Sequence, residues 1–384
     1  MSEDQIYRQL QQEIDLRTAI DFPKAESGSD IRFLRHIFTS EEAKLAIHLS
    51  VLPETPKRIH KRLIKNGFEM SLPELEQKLD ELFKKGAIMR NDQLFNKPKK
   101  KKYALIQAAV GLYEFQLDKL TKESAKDAED YIHEELYKVF NKEGLGQMRT
   151  IPIETALIPE RFVGNYENVR EIINKKKSTI AVVDCVCKQS LDLLENPCKL
   201  GDVRNCCVMF DNVADVYLQN YPSANQISKT ELFDLLDEWQ KIGYVLQPEN
   251  CKDPKFLCVC CGCCCGVLTG LKQFPKPAEM AITNFYAQVN SELCNGCENC
   301  VSRCQMDAIV MKDGKSTINL DRCIGCGVCV PTCGMKAINL VRKDDASKPP
   351  AKSHFGMYTK IYMQKRGTFG AFKMILKHLL GKKV

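Results

Sequence analysis

Cys294-x2-Cys297-x2-Cys300-x3-Cys304 recurs 29 residues later as Cys323-x2-Cys326-x2-Cys329-x3-Cys333. Ala308-Ile309 follows the first set as Ala337-Ile338 follows the second, and "MKDGKSTINLD" between them offers an Asp-Gly hairpin turn and a strand. Few folds can use eight thiols at these intervals. Three thiolates with two residues between neighbours wrap one face of an iron–sulfur cube, and backbone N–H groups turn toward its sulfides. The fourth, entering a short helix, reaches the neighbouring cube. On that reading Cys294, Cys297, Cys300 and Cys333 hold one 4Fe–4S cluster, and Cys323, Cys326, Cys329 and Cys304 hold another. Zinc knuckles would instead call for two Cys-x2-Cys pairs farther apart and no crossed repeat.

The repeat and its surroundings, roughly residues 283–342, resemble the bacterial two-cluster ferredoxins, which implies that fold and two 4Fe–4S clusters. There is one departure. The proline that usually follows the fourth cysteine is replaced by Gln305 and Gly334. That proline shapes a turn and supplies no ligand, so the change bears on local geometry and potential.

All twenty cysteines lie between 185 and 333, and "FLCVCCGCCCGVL" (256–268) puts six of them into eight positions. Upstream stand Cys185-x-Cys187, Cys198, the adjacent Cys206-Cys207 and Cys251. No histidine falls between 134 and 353, so the set is all-thiolate, which favours iron–sulfur over Cys/His zinc. Cys258, Cys261 and Cys264 repeat the two-residue spacing, Cys260 and Cys263 give a shifted version, and Cys265 adds a sixth thiol, so the register is ambiguous. Gly262 and Gly266 let the backbone turn close to a cluster. The expectation is that this run ligates at least one further Fe–S cluster, closed by Cys185, Cys187, Cys198, Cys206 and Cys207. Over about residues 150–343 the combination is similar to a set of iron–sulfur proteins of anaerobic microbes, which implies redox work without naming a reaction. "CCG" at 260–262 and 264–266 is similar to the cysteine-rich domains of heterodisulfide-reductase-type proteins, but the upstream cysteine of that motif is missing.

The rest of the chain must do something else. Residues 40–90 read as three helices. Thr55-Pro56 starts the second, and a capping box from Ser71 to Glu74 starts the third, which carries a core stripe of Leu72, Leu75, Leu79, Leu82 and Phe83. A strand, the lysine run "KPKKKK" (97–102) and a second strand complete a resemblance to a winged helix. Such a module implies either protein docking or DNA reading. Glu74, Glu76, Asp80 and Glu81 on the third helix would repel phosphates, so DNA is the weaker partner, kept open by "KRIHKRLIK" and the lysine loop. The fold class expected is α+β and multidomain. It comprises a winged-helix-like domain at 31–125, a helical connector at 126–177, a Cys-rich α/β domain at 178–275, the two-cluster domain at 283–342 and a basic amphipathic tail at 343–384.

No signal peptide or apolar run of spanning length is visible, and many thiols fit a reducing interior, so a cytoplasmic protein is expected. The tail places Phe372, Ile375, Leu376, Leu379 and Leu380 on one helical face among lysines. That face suits packing on the body, a partner's groove or the inner membrane surface. No dinucleotide fingerprint, P-loop or nucleophile elbow is present. The reading is an electron-transfer protein or oxidoreductase subunit passing single electrons to a redox partner. The alternatives are a redox-sensing transcription regulator and an enzyme active at an unusual cluster in 258–265.

Overall fold

Capping side chains decide where the N-terminal helices begin. Ser2 and Gln5 close a reciprocal box on α1 (Glu3–Arg17), and Thr39 and Glu42 do the same on α3 (Ser40–Ala46), which follows α2 (Ser29–Ile37). Pro56 opens α4 (Pro56–Lys65), where Thr55 makes no side-chain cap bond. On α5 (Leu72–Lys85) the Ser71 Oγ accepts the Glu74 N–H at 3.3 Å, but only this half of the expected box forms, because the Glu74 side chain stays in solvent. Leu75, Leu79, Leu82 and Phe83 are buried as the stripe requires, and Leu72 is half-exposed.

This computed structural model describes residues 2–94, 98–140, 146–157, 166–343 and 349–384; Lys97 of the lysine run lies outside them. The chain divides into two units, Met1–Val139 with Asp215–Pro222 and Tyr358–Val384, and Phe140–Ala214 with Ser223–Met357. In the first, β1 (Met89–Arg90) and β2 (Tyr103–Ala104) pair antiparallel, and Glu54 bridges to Tyr103. The arginines of α4 are largely engaged inside the unit. Arg58 and Arg62 both pair with buried Glu54, at 2.7 and 2.8 Å, and Arg62 also donates to the His48 carbonyl at 2.7 Å. Lys57, Lys61 and Lys65 are exposed. Asp80 on α5 accepts from Lys101 at 2.6 Å and from the Tyr103 hydroxyl at 2.7 Å, so part of the lysine loop is already neutralised.

The tail helix His354–Leu379 kinks at Gly367. Lys365 and Arg366 donate to the Asp15 and Leu16 carbonyls, and the Val384 N–H donates to Ser50 Oγ at 3.1 Å. Between these anchors Phe369, Phe372, Ile375, Leu376, Leu379 and Leu380 are exposed, Phe369 by 77% and Leu379 by 75%. Among the described residues no helix is long and apolar enough to cross a membrane.

The second unit is built on an antiparallel sheet of β3 (Ile180–Asp184), β4 (Asn205–Phe210), β5 (Asn225–Gln226), β6 (Val245–Pro248) and β7 (Phe256–Cys260), in the order β5-β3-β4-β7-β6. The amphipathic helix Lys229–Ile242 starts at a Ser228–Glu231 capping box and buries Leu232, Leu236 and Trp239 in the same core. Two antiparallel pairs follow. β8 (Phe285–Val289) joins β11 (Ile338–Arg342), and β9 (Ile309–Lys312) joins β10 (Lys315–Ile318) through the Asp313-Gly314 turn. The expected two-cluster segment falls within this unit, as does the Cys-rich segment apart from Asp215–Pro222.

Candidate metal centres

The doubled cysteine motif folds with the symmetry its spacing implies. One cavity is lined by Cys323, Cys326, Cys329 and Cys304. A second is lined by Cys294, Cys297, Cys300 and Cys333. Each therefore receives three thiols from one loop and the fourth from the other. Backbone donors repeat at the same offset. The Ala308 N–H donates to Cys304 Sγ at 3.3 Å and the Ala337 N–H to Cys333 Sγ at 3.2 Å. The Ser316 N–H reaches Cys294 Sγ at 3.5 Å, and the Ala287 N–H reaches Cys323 Sγ at 3.3 Å. Gly325 has φ +65°, and a Cβ there would come within 2.1 Å of the Phe285 carbonyl, so the loop can close only around glycine.

The donor set fits a cluster. Backbone N–H groups, first from Ser316, pull the Cys294 thiol below its ordinary value. Burial pushes Cys326 up to about 12 and raises Cys329 and Cys304. Iron binding there must displace a proton from each thiol. In the first quartet Cys297 is exposed, Cys294 and Cys300 are buried and Cys333 is half-buried; in the other Cys329 is buried and the rest are half-buried. Cys297 is thus the one thiol of the eight that is exposed.

Strand order explains how the remaining thiols meet. β3 and β7 both run antiparallel to β4, so their C-terminal ends and the start of β4 share one end of the sheet. Cys185 and Cys187 follow β3, Cys206 and Cys207 open β4, and Cys258 and Cys260 close β7. Cys207 stands opposite Cys258 in the register. Cys185 interacts with Cys187 and Cys206, Cys258 with Cys207 and Cys260, and Cys260 with Cys265. Cys265, at the head of helix Gly266–Lys272, also acts on Cys185 and Cys187. Cys187, then Cys206, pulls the Cys185 thiol well below its ordinary value, and Cys258, then Cys265, brings Cys260 down to about 5.

Cys198, Cys261, Cys263 and Cys264 form a separate group, with all four sulfurs within 4.8 Å of one another. Cys251 donates to Glu249 at 3.6 Å, and burial raises its pKa.

Two residues gain a role that composition and motif did not suggest. Lys188, fully buried beside this thiol chain, donates to the Val203 carbonyl at 2.7 Å and lies 4.0 Å from the Tyr244 ring centre. Burial works against its charge, but the nearby Cys206, Tyr244 and Cys185 outweigh that and raise its pKa. Its one sequence signal was its position directly after Cys187. Gln305, standing where ferredoxins carry proline, accepts the Gly262 N–H at 2.8 Å through its side chain. A Cβ on Gly262 would lie 2.0 Å from the Gln305 carbonyl oxygen. Gln305 follows Cys304 directly, so this contact joins a cavity-lining cysteine to the cysteine run. Arg303 adds a second tie, donating to the Gln240 carbonyl at 3.0 Å and to those of Lys241 and Ile242.

Residues 293–338 match the family model described as a 4Fe-4S dicluster domain, so the chain carries an iron–sulfur domain there. No curated protein and no solved structure matches the chain.

Proposed function

We propose that the chain is an iron–sulfur electron-transfer protein with two 4Fe–4S clusters in its crossed cysteine quartets and a further Fe–S centre in its sheet-end thiols. The observation that carries this reading is the pair of cavities, each lined by four thiols drawn from both loops. Clusters bound by four thiolates each accept and return single electrons and leave no coordination position open to a substrate. The protein supplies the ligands, the N–H donors to their sulfurs and the packing that separates the sites from water, all of which tune potential.

Cys294, Cys297, Cys300 and Cys333 form the site with the exposed thiol, where a partner can exchange electrons. Cys323, Cys326, Cys329 and Cys304 form the other, joined through Gln305 and Gly262 to the run. Cys185, Cys187, Cys206, Cys207, Cys258, Cys260 and Cys265 hold the further centre, with Lys188 as its buried counter-charge. Anaerobic reconstitution followed by potentiometric EPR tests this. Two one-electron reductions with magnetically coupled signals are expected from about eight ferredoxin-type irons. Quartets filled with zinc and silent to reduction would sink the proposal.

The winged-helix-like domain serves partner docking on this reading. The regulator alternative needs a basic reading surface, and Glu54 and Asp80 already engage Arg58, Arg62 and Lys101. The exposed tail stripe, rimmed by Lys373 and Lys377, fits an anionic membrane surface. Phe372→Ser combined with Leu376→Ser and Leu379→Ser should abolish co-sedimentation with anionic vesicles while leaving the fold intact. Equal sedimentation of variant and parent would end the membrane assignment.

A further inference from the structure

We infer that Cys198, Cys261, Cys263 and Cys264 bind one zinc ion, as a structural site separate from the iron–sulfur centres. Cys198 Sγ lies 3.5 Å from Cys261 Sγ and 3.8 Å from Cys263 Sγ, and Cys263 Sγ lies 3.7 Å from Cys264 Sγ. Four thiolates on one tetrahedral zinc, with bonds of about 2.3 Å, stand about 3.8 Å apart. The thiolates of a cube bind four different irons, each one bond outward from its corner, and are spread more widely than this. Among the described residues this is the only group of three or more His, Cys or carboxylate ligand atoms to converge so tightly.

The surroundings are those of a closed site. Cys198, Cys261 and Cys264 are buried and Cys263 is half-buried, so no position is left for a substrate. Arg204, paired with Asp192 at 2.8 Å, also lies within electrostatic reach of Cys198. A borderline-soft ion without ligand-field preference suits this all-sulfur set, and binding displaces the thiol protons to solvent.

The ion would fasten two irregular connections. Cys198 lies between helix Val186–Leu193 and β4, and the other three ligands form the turn between β7 and helix Gly266–Lys272. The second connection also carries Cys265 of the sheet-end group, and the first leads into β4, which opens with Cys206 and Cys207. Zinc would therefore hold in place the frame of a centre it does not belong to.

Metal analysis of the full chain, purified anaerobically, should give one zinc per chain in addition to iron. Cys264→Ser and Cys261→Ser should each lose that zinc and keep the ferredoxin irons and their coupled EPR signals. Those signals test the electron-transfer proposal, so the two readings fail separately. Zinc-edge X-ray absorption on the unaltered protein should show four sulfurs at about 2.3 Å, which holds even where a variant does not fold. A zinc-free chain whose Cys264→Ser variant loses iron would overturn the assignment, as would a single iron bound there or a disulfide among the four.

Discussion

Cys304→Ser should empty the cavity lined by Cys323, Cys326 and Cys329 and spare the one lined by its own loop-mates. The reason is the crossing. Cys304 follows Cys300 by four residues, yet it lines a cavity with the second loop's thiols, and Cys333 lines the other. Its Sγ accepts the Ala308 N–H at 3.3 Å, which fixes the side chain toward that cavity. Iron should fall by about four per chain, one cluster's content. The remaining cluster should give an EPR signal without the splitting caused by its neighbour. Cys333→Ser should produce the mirror result at the other site, where exposed Cys297 makes the cluster the more oxygen-sensitive of the two. Loss of the cluster of Cys294, Cys297 and Cys300 on Cys304→Ser would mean that each loop closes on itself, and the crossed arrangement would be wrong.

What was legible in the sequence was what is decided locally. The leucine stripe of α5 and the Asp313-Gly314 turn each depend on a few consecutive residues and survive into the structure, whereas only half of the Ser71–Glu74 box forms. The division of the upstream thiols was not legible. Cys206 and Cys207 are adjacent, as are Cys260 and Cys261, so only strand register decides which neighbour turns toward which group. Cys207 meets Cys258 because β4 and β7 pair at that register, whereas Cys261 leaves the strand and meets Cys198 across a loop. Gln305 was visible as a departure from the ferredoxin pattern, but its acceptor role depends on Gly262, 43 positions earlier. A lysine such as Lys188 is ordinarily a surface residue, and only the burial of its helix beside the thiols gives it another use.

Cys185→Ser together with Cys260→Ser should remove the further centre and leave both ferredoxin signals in place. Cys185 follows β3 and Cys260 ends β7, two strands flanking β4, so the pair of substitutions takes a ligand from each side of the sheet-end group. Iron should drop by about four per chain if the centre is a cube, and zinc should stay, because neither residue belongs to the tight quartet. Lys188→Gln probes the same centre without touching a ligand. Its ammonium is buried, so replacing it by a neutral amide withdraws a positive charge that favours the more negative, reduced state. The potential of this centre alone should fall, while the ferredoxin potentials hold. Removing one partner of a buried charge pair also costs about 3–5 kcal/mol, so thermal stability should decline alongside. A variant whose three potentials shift together, or none of which shifts, would place Lys188 outside the electrostatics of the sheet-end group and leave it a packing residue against Tyr244.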